Sequence, residues 1–222
     1  MNTGWVQALV AGGLLLARGA GAQASATPAD FEGSVSLRLS ARAPQGVTMQ
    51  PVEYLVRAGK VRVNVAGPLG GMAMLAVPRE QKLYVLMAAQ NAYSEIPMAA
   101  ATAAAGAVPA EAAGDVKLVR TGRRETLAGY ACEHVQVTAA GQTTDVCLST
   151  ALGRYVNPLE SMRGSAAPAW QRAVGGEGFP LKVTLPDGTV ALEVTKVEPK
   201  RLANDLFSVP LSYTRIELPR RR

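Results

Sequence analysis

The sequence predicts a mainly β chain: a single curved antiparallel sheet, as in an open barrel, with a few short helices beside it. Three observations predict it. Apolar and polar residues alternate along stretch after stretch, as strands with one buried face require. Turns marked by Gly and Pro separate those stretches at short intervals. Helical patterns are confined to two or three short segments, which suits a sheet covered on one side as in an open barrel.

The N-terminal residues precede any fold. Trp5 to Leu16 is an apolar run too short to span a bilayer, followed by the small-residue segment Ala17 to Ala26 with Ala20-Gly21-Ala22 inside it. That is the pattern of a cleaved secretory signal, although only the amino terminus supplies positive charge ahead of the run. Cleavage after Ala22 assigns 1–22 to a signal peptide and 23–222 to one β-rich domain; cuts after Ala24 or Ala26, or an uncleaved anchor helix, are the alternatives. A periplasmic or secreted location follows, with no transmembrane segment after cleavage. About 200 residues suffice for one domain that buries roughly 70% of its unfolded surface.

The whole chain carries a net charge of +6, and loss of Arg18 with the signal leaves +5. The charge is dispersed apart from Arg220-Arg221-Arg222, which either touches anionic headgroups or is a frayed end. Nucleic acid would require basic residues clustered with aromatics on one surface, so it is excluded as a partner.

The elements follow in order. Phe31 to Ala41 places Val35, Leu37 and Leu39 on one side and Ser34, Ser36, Arg38 and Ser40 on the other, a half-buried strand. Pro44-Gln45-Gly46 turns the chain. Val52 to Arg57 and Lys60 to Val65 form a hairpin about Ala58-Gly59, with Val61, Val63 and Val65 inward. Beyond Gly67 to Gly71 come strands Met72 to Val77, Lys82 to Met87 and Tyr93 to Ile96. Residues 98–114 are mostly alanine, broken by Gly106 and Pro109 with no apolar stripe, and read as a low-complexity loop, either a lid or a plain linker.

Arg120 to Leu148 holds both cysteines and the single histidine. Val135 and Val137 alternate with His134 and Gln136, then Val146 and Leu148 with Asp145 and Cys147, about a turn at Ala139 to Gln142: a hairpin. A register with Cys132 facing Cys147 sets His134 opposite Asp145 and Gln136 opposite Thr143. It brings the cysteines within disulfide reach, which suits an oxidising compartment; two buried free thiols are the alternative. There is no C-x-x-C, and one histidine is a poor start for a zinc site, so neither metal nor cofactor is expected.

Asn157-Pro158-Leu159-Glu160 has an N-cap, a first-turn proline and an acid at N3, and starts a short helix ending near Gly164. Ser165 to Val174 is a second, with Trp170, Ala173 and Val174 on one face and Gly175-Gly176 stopping it. Phe179 to Leu185, the turn Pro186-Asp187-Gly188 and Thr189 to Val197 return to strand; Lys200 to Leu206 is a helical turn and Ser212 to Leu218 a last strand. About ten strands result.

Short segments then carry a resemblance: Tyr54-Leu55-Val56-Arg57-Ala58-Gly59-Lys60-Val61-Arg62, Lys82-Leu83-Tyr84-Val85-Leu86 followed by Tyr93, and Thr121-Gly122-Arg123 with Ala128-Gly129-Tyr130-Ala131-Cys132-Glu133. Val146-Cys147-Leu148 and Phe207-Ser208-Val209-Pro210 continue it. Together they resemble a family of exported bacterial proteins known only as a domain of unknown function, and more distantly the LolA/LolB lipoprotein carriers. The latter resemblance implies a half-barrel whose concave apolar face, capped by helices, takes up acyl chains.

Methionines reinforce that expectation, because a flexible, polarizable side chain suits surfaces that accept varied apolar shapes. Met72, Met74, Tyr84, Leu86 and Trp170 are the expected lining residues; an ordinary packed core would use them equally well. The expected function is non-catalytic binding of a lipid or acylated peptide, with another envelope protein docking on the sheet as the alternative. His134 with Asp145 resembles a base and its orienter, but there is no G-x-S-x-G and no serine to complete a triad, so no enzyme is expected. A cross-strand ion pair explains both residues.

Overall fold

The computed structural model describes residues 31–43, 46–66, 71–98, 115–157 and 167–217. The expected signal segment 1–22, the alanine-rich run from 99 to 114, the expected helix from Asn157 to Gly164 apart from Asn157 itself, and the terminal arginines lie outside the described residues.

Among the described residues twelve strands form one open sheet. The first six are β1 (Gly33–Ala43), β2 (Gly46–Arg57), β3 (Lys60–Val65), β4 (Met72–Val77), β5 (Lys82–Met87) and β6 (Ala92–Pro97). The others are β7 (Lys117–Leu127), β8 (Tyr130–Ala139), β9 (Gln142–Ser149), β10 (Phe179–Thr184), β11 (Val190–Pro199) and β12 (Thr214–Arg215). Their spatial order is β12-β6-β5-β4-β3-β2-β1-β11-β10-β9-β8-β7. Two antiparallel meanders, β1 to β6 and β7 to β11, are therefore joined where β1 meets β11. The sheet is antiparallel except for β12, which lies parallel along β6. That pairing reduces the expected strand Ser212 to Leu218 to two residues, held by amide bonds from Thr214 to Asn91 O and from Ile216 to Tyr93 O, each 2.8 Å.

Alternation makes the two faces. Directly opposed residues share a face, and the row Val35, Tyr54, Val63, Met74, Val85 runs across β1 to β5, every member at most 2% exposed. Val135, Val146, Val183 and Leu192 continue the apolar face across β8 to β11. Each such side chain contributes about 1.5–3 kcal/mol by leaving water. The opposite face carries Arg38, Glu193, Lys182, Cys147 and His134 in the corresponding row. A smaller cluster of Leu55, Leu75, Val77, Leu202 and Phe207 buries part of this outer face under the 3₁₀ turn Asn204–Phe207.

Three hairpins share one turn. Ala58-Gly59, Ala128-Gly129 and Ala140-Gly141 each have positive φ at both positions, 48° and 76°, 49° and 84°, and 49° and 74°. Two-residue turns of this hand match the twist of the flanking strands. The turn at Ala140-Gly141 also corrects the register expected for the cysteine hairpin. Ala139 pairs with Gln142, so Cys147 faces His134 and Asp145 faces Gln136. The assumed longer turn shifted the pairing by two residues.

β7 is the outermost strand at the far edge, and it is interrupted by a register shift between Arg120 and Arg124. Most of its side chains are exposed.

Candidate ligand-binding site

The centre of the inner face is filled. Helix α1 (Ala169–Val174) packs there through Trp170 and Val174, both buried, and the segment Leu152 to Asn157 crosses beside it. Tyr54 fixes that crossing: its hydroxyl donates to Val156 O at 3.1 Å and accepts from Val156 N at 3.0 Å. Its ring stacks at 5.9 Å on Tyr155 and meets Phe179 edge-on at 5.2 Å. Complete burial pushes the Tyr54 phenol well above its ordinary pKa of 10.0, the hydrogen bond with Val156 opposing only in part. The folded chain thus keeps a proton that the unfolded chain releases from about pH 10 upward. Stability should be unaffected by this group below pH 10 and fall above it, by at most about 1.4 kcal/mol per pH unit. Urea titrations from pH 8 to 11 should show that fall, and Tyr54→Phe should remove part of it. The same substitution should cost about 1–3 kcal/mol at pH 8 by leaving the Val156 amide and carbonyl unpartnered.

Beside this filled centre the inner face keeps a cavity of about 840 Å³. Val56 and Val61 from the β2–β3 hairpin form one wall, and Val77 and Pro78, where β4 ends, border it. Phe31, Met98 and Leu152 add apolar surface, and Gln171 and Arg172 of α1 stand on another side. Lys60, Arg79 and Arg154 come from three separate turns or loops and join the lining. A second hollow of about 680 Å³ lies mainly on the outer side, lined by polar residues such as Arg38, Glu53, Arg62 and Asn64 together with Met72 and Leu86. Its charges are internally satisfied: Arg38 pairs with Glu193 at 2.7 Å, and Glu53, Asn64 and Arg62 form a hydrogen-bonded chain.

The expected lining residues are not brought together. Met72 and Met74 point to the inner face, whereas Leu86 opposes Ala73 and Tyr84 opposes Leu75, which turns both outward. Met74 is fully buried in the main core, Tyr84 packs on the outer cluster, and Trp170 is an anchor of α1. Met72 and Leu86 reach the outer hollow, and none of the five lines the inner cavity. The cationic lining is what the sequence reading missed. Lys60 lies in the Arg57-Ala58-Gly59-Lys60 turn, and it alone was within reach, as a side chain at a hairpin end beside an apolar strand.

Cys132 and Cys147 form a disulfide with Cα atoms 5.3 Å apart, running diagonally across the hairpin. On the same face His134, 4% exposed, sits between two carboxylates: Nδ1 is 2.6 Å from Asp145 Oδ1 and Nε2 is 3.0 Å from Glu125 Oε2. Arg123 Nη2 stands 2.6 Å from the same Nδ1 and 3.3 Å from both Asp145 oxygens. The His134–Asp145 contact therefore exists, reached diagonally, and Glu125 and Arg123 complete it. Each ring nitrogen thus has a partner within the protein: Nδ1 meets Asp145 and Arg123, and Nε2 meets Glu125. Glu125, His134 and Cys147 place potential metal-ligand atoms within 4.8 Å of one another, but the sulfur is committed to the disulfide.

Residues 31–213 match the family described as Domain of unknown function (DUF4412). The chain belongs to that family. No curated protein matches the DUF4412 chain. Among solved structures it is similar to PNGF-II, with 11% identity and a TM-score of 0.46, covering 84% of this chain and 31% of that one. It thus spans about a third of the PNGF-II chain. An uncharacterized conserved protein from Thermus thermophilus is 14% identical at a TM-score of 0.46, with 85% of this chain and 93% of that chain covered. A LolA superfamily protein from Nitrosomonas europaea is 14% identical at a TM-score of 0.33, with 80% and 89% covered.

Proposed function

We propose that this DUF4412 chain is an exported, non-catalytic envelope protein that holds an apolar ligand, a lipid or an acylated peptide, on the inner side of its half-barrel. The observation that carries the reading is the cavity of about 840 Å³ whose wall includes Val56, Val61 and Leu152. Sites for small molecules are concave, mostly apolar and roughly 300–1,000 Å³. The disulfide fits an oxidising compartment, and the carboxylate-bound His134 speaks for binding without chemistry.

The direct test is mass spectrometry of protein purified from a periplasm, under native conditions and again after organic extraction. A stoichiometric lipid that leaves on extraction supports the reading. A bare protein that also takes up no fluorescent fatty acid removes it and directs attention to a protein partner.

Two substitutions locate the ligand. Val56→Trp projects an indole into the cavity and should abolish uptake with a change in stability below about 1 kcal/mol. Met74→Trp forces the same group into a closed core and should cost about 1–3 kcal/mol. Denaturant titration and ligand uptake measured on both variants check this; equal destabilisation by the two would mean that the cavity behaves as packed core.

A further inference from the structure

We infer that the ligand carries an anionic head: the cavity fits a single-chain amphiphile ending in a carboxylate or phosphate. This rests on the proposed ligand site and adds the polar half of its specificity. Lys60, Arg79, Arg154 and Arg172 all line the cavity, and neither aspartate nor glutamate is among its described lining residues. The acids closest in sequence to the lining are engaged elsewhere. Glu32 accepts from the Leu202 amide at 2.7 Å and lies 3.6 Å from Arg57, Glu80 accepts from the Tyr84 hydroxyl, and Glu177 pairs with Arg120. Among the described residues none of the four cations forms an ion pair, whereas cations elsewhere on the sheet, such as Arg38, Lys82 and Lys196, do.

Two of the four are held by the backbone around the cavity. Arg172 Nη1 donates to Ala167 O at 3.0 Å. Arg154 lies against Gly176, where a Cβ would come within 2.7 Å of Nη2 and where φ is +106°. The positive φ favours glycine at 176, and the guanidinium of Arg154 lies in the space that a side chain there would enter. Like charges gathered at an apolar wall repel one another and raise the local concentration of anions. A carboxylate or phosphate relieves that repulsion and accepts charge-assisted hydrogen bonds. The apolar wall takes the chain. A neutral lipid would use only the wall, and a small free anion only the cations.

Removal of the signal leaves Trp170 as the sole tryptophan, and its helix borders the cavity, so its fluorescence reports occupancy. Delipidated mature protein is titrated with palmitate, methyl palmitate, hexadecyl phosphate and inorganic phosphate. Palmitate and hexadecyl phosphate should bind roughly ten-fold or more tightly than the ester at low salt, with the gap narrowing at about 0.5 M salt. Lys60→Gln/Arg154→Gln, at positions partly or fully exposed, should lose that preference while still binding the ester. Equal affinity for acid and ester, or a preference that survives the double substitution, overturns the anionic head and leaves the apolar site standing. Inorganic phosphate that displaces palmitate at equal concentration overturns the amphiphile. Failure to bind any chain-bearing probe removes the proposed function as well.

Discussion

Trp170→Ala is expected to lower stability by about 3–5 kcal/mol, the range for truncating a buried aromatic, and to abolish ligand uptake. At this chain length that is a fall of roughly 10 °C in Tm. The effect is large because α1 has only six residues and cannot persist alone. Its docking rests on Trp170 and Val174, both members of the main core cluster. The same helix presents Gln171 and Arg172 to the cavity, so a loosened α1 loses a wall of the site together with its packing. Thermal unfolding and palmitate uptake measure the two consequences separately. A loss of stability under about 1 kcal/mol would mean that α1 is peripheral to the fold.

The second large effect concerns the bridge. Cys132→Ser/Cys147→Ser should cost about 3 kcal/mol, the chain-entropy value for a loop of about fifteen residues; the cysteines are 15 positions apart. Reductant should lower the urea midpoint of the wild type by the same amount and leave that of the double variant unchanged. The diagonal placement adds a consequence for His134, which lies directly across from Cys147. Removing the bridge frees the strand pair to relax at the point where Asp145 and Glu125 hold the imidazole. A midpoint insensitive to reductant would mean that the hairpin pairing alone fixes this region.

The fold was legible where polarity alternates. Gln81 and Asn91, both at positive φ, end the two 3₁₀ turns on either side of β5, and β4 and β5 have the bounds that the sequence predicts. The start of β2 was missed because Gly46 to Pro51 is mostly exposed, Val47 included, so its side chains mark no buried face. The site was much less legible. Met-Ala-Met-Leu-Ala-Val is apolar at every position because β4 is covered on both faces, by the main core on one side and by Leu202 and Phe207 on the other. No face can be read from such a run, and the expected lining residues accordingly divided between the two sides. The cations of the cavity sit far apart in sequence, Lys60, Arg79 and Arg154 on turns and loops and Arg172 on α1, where an isolated Lys or Arg looks like ordinary solvated surface. Only the curl of the sheet gathers them.

The interrupted outer strand β7 bears on how the protein survives at high concentration. An uncovered row of backbone donors and acceptors invites another β chain to add itself, and repetition of that step builds fibres. Here the row is broken at its middle, and Arg120, Arg123 and Arg124 flank the break. A second copy approaching edge to edge would meet a bend where it needs a straight partner and guanidinium groups where it needs neutral ones. Such a border disfavours the edge-to-edge addition of a second copy, so strand addition along β7 is a poor route to fibres.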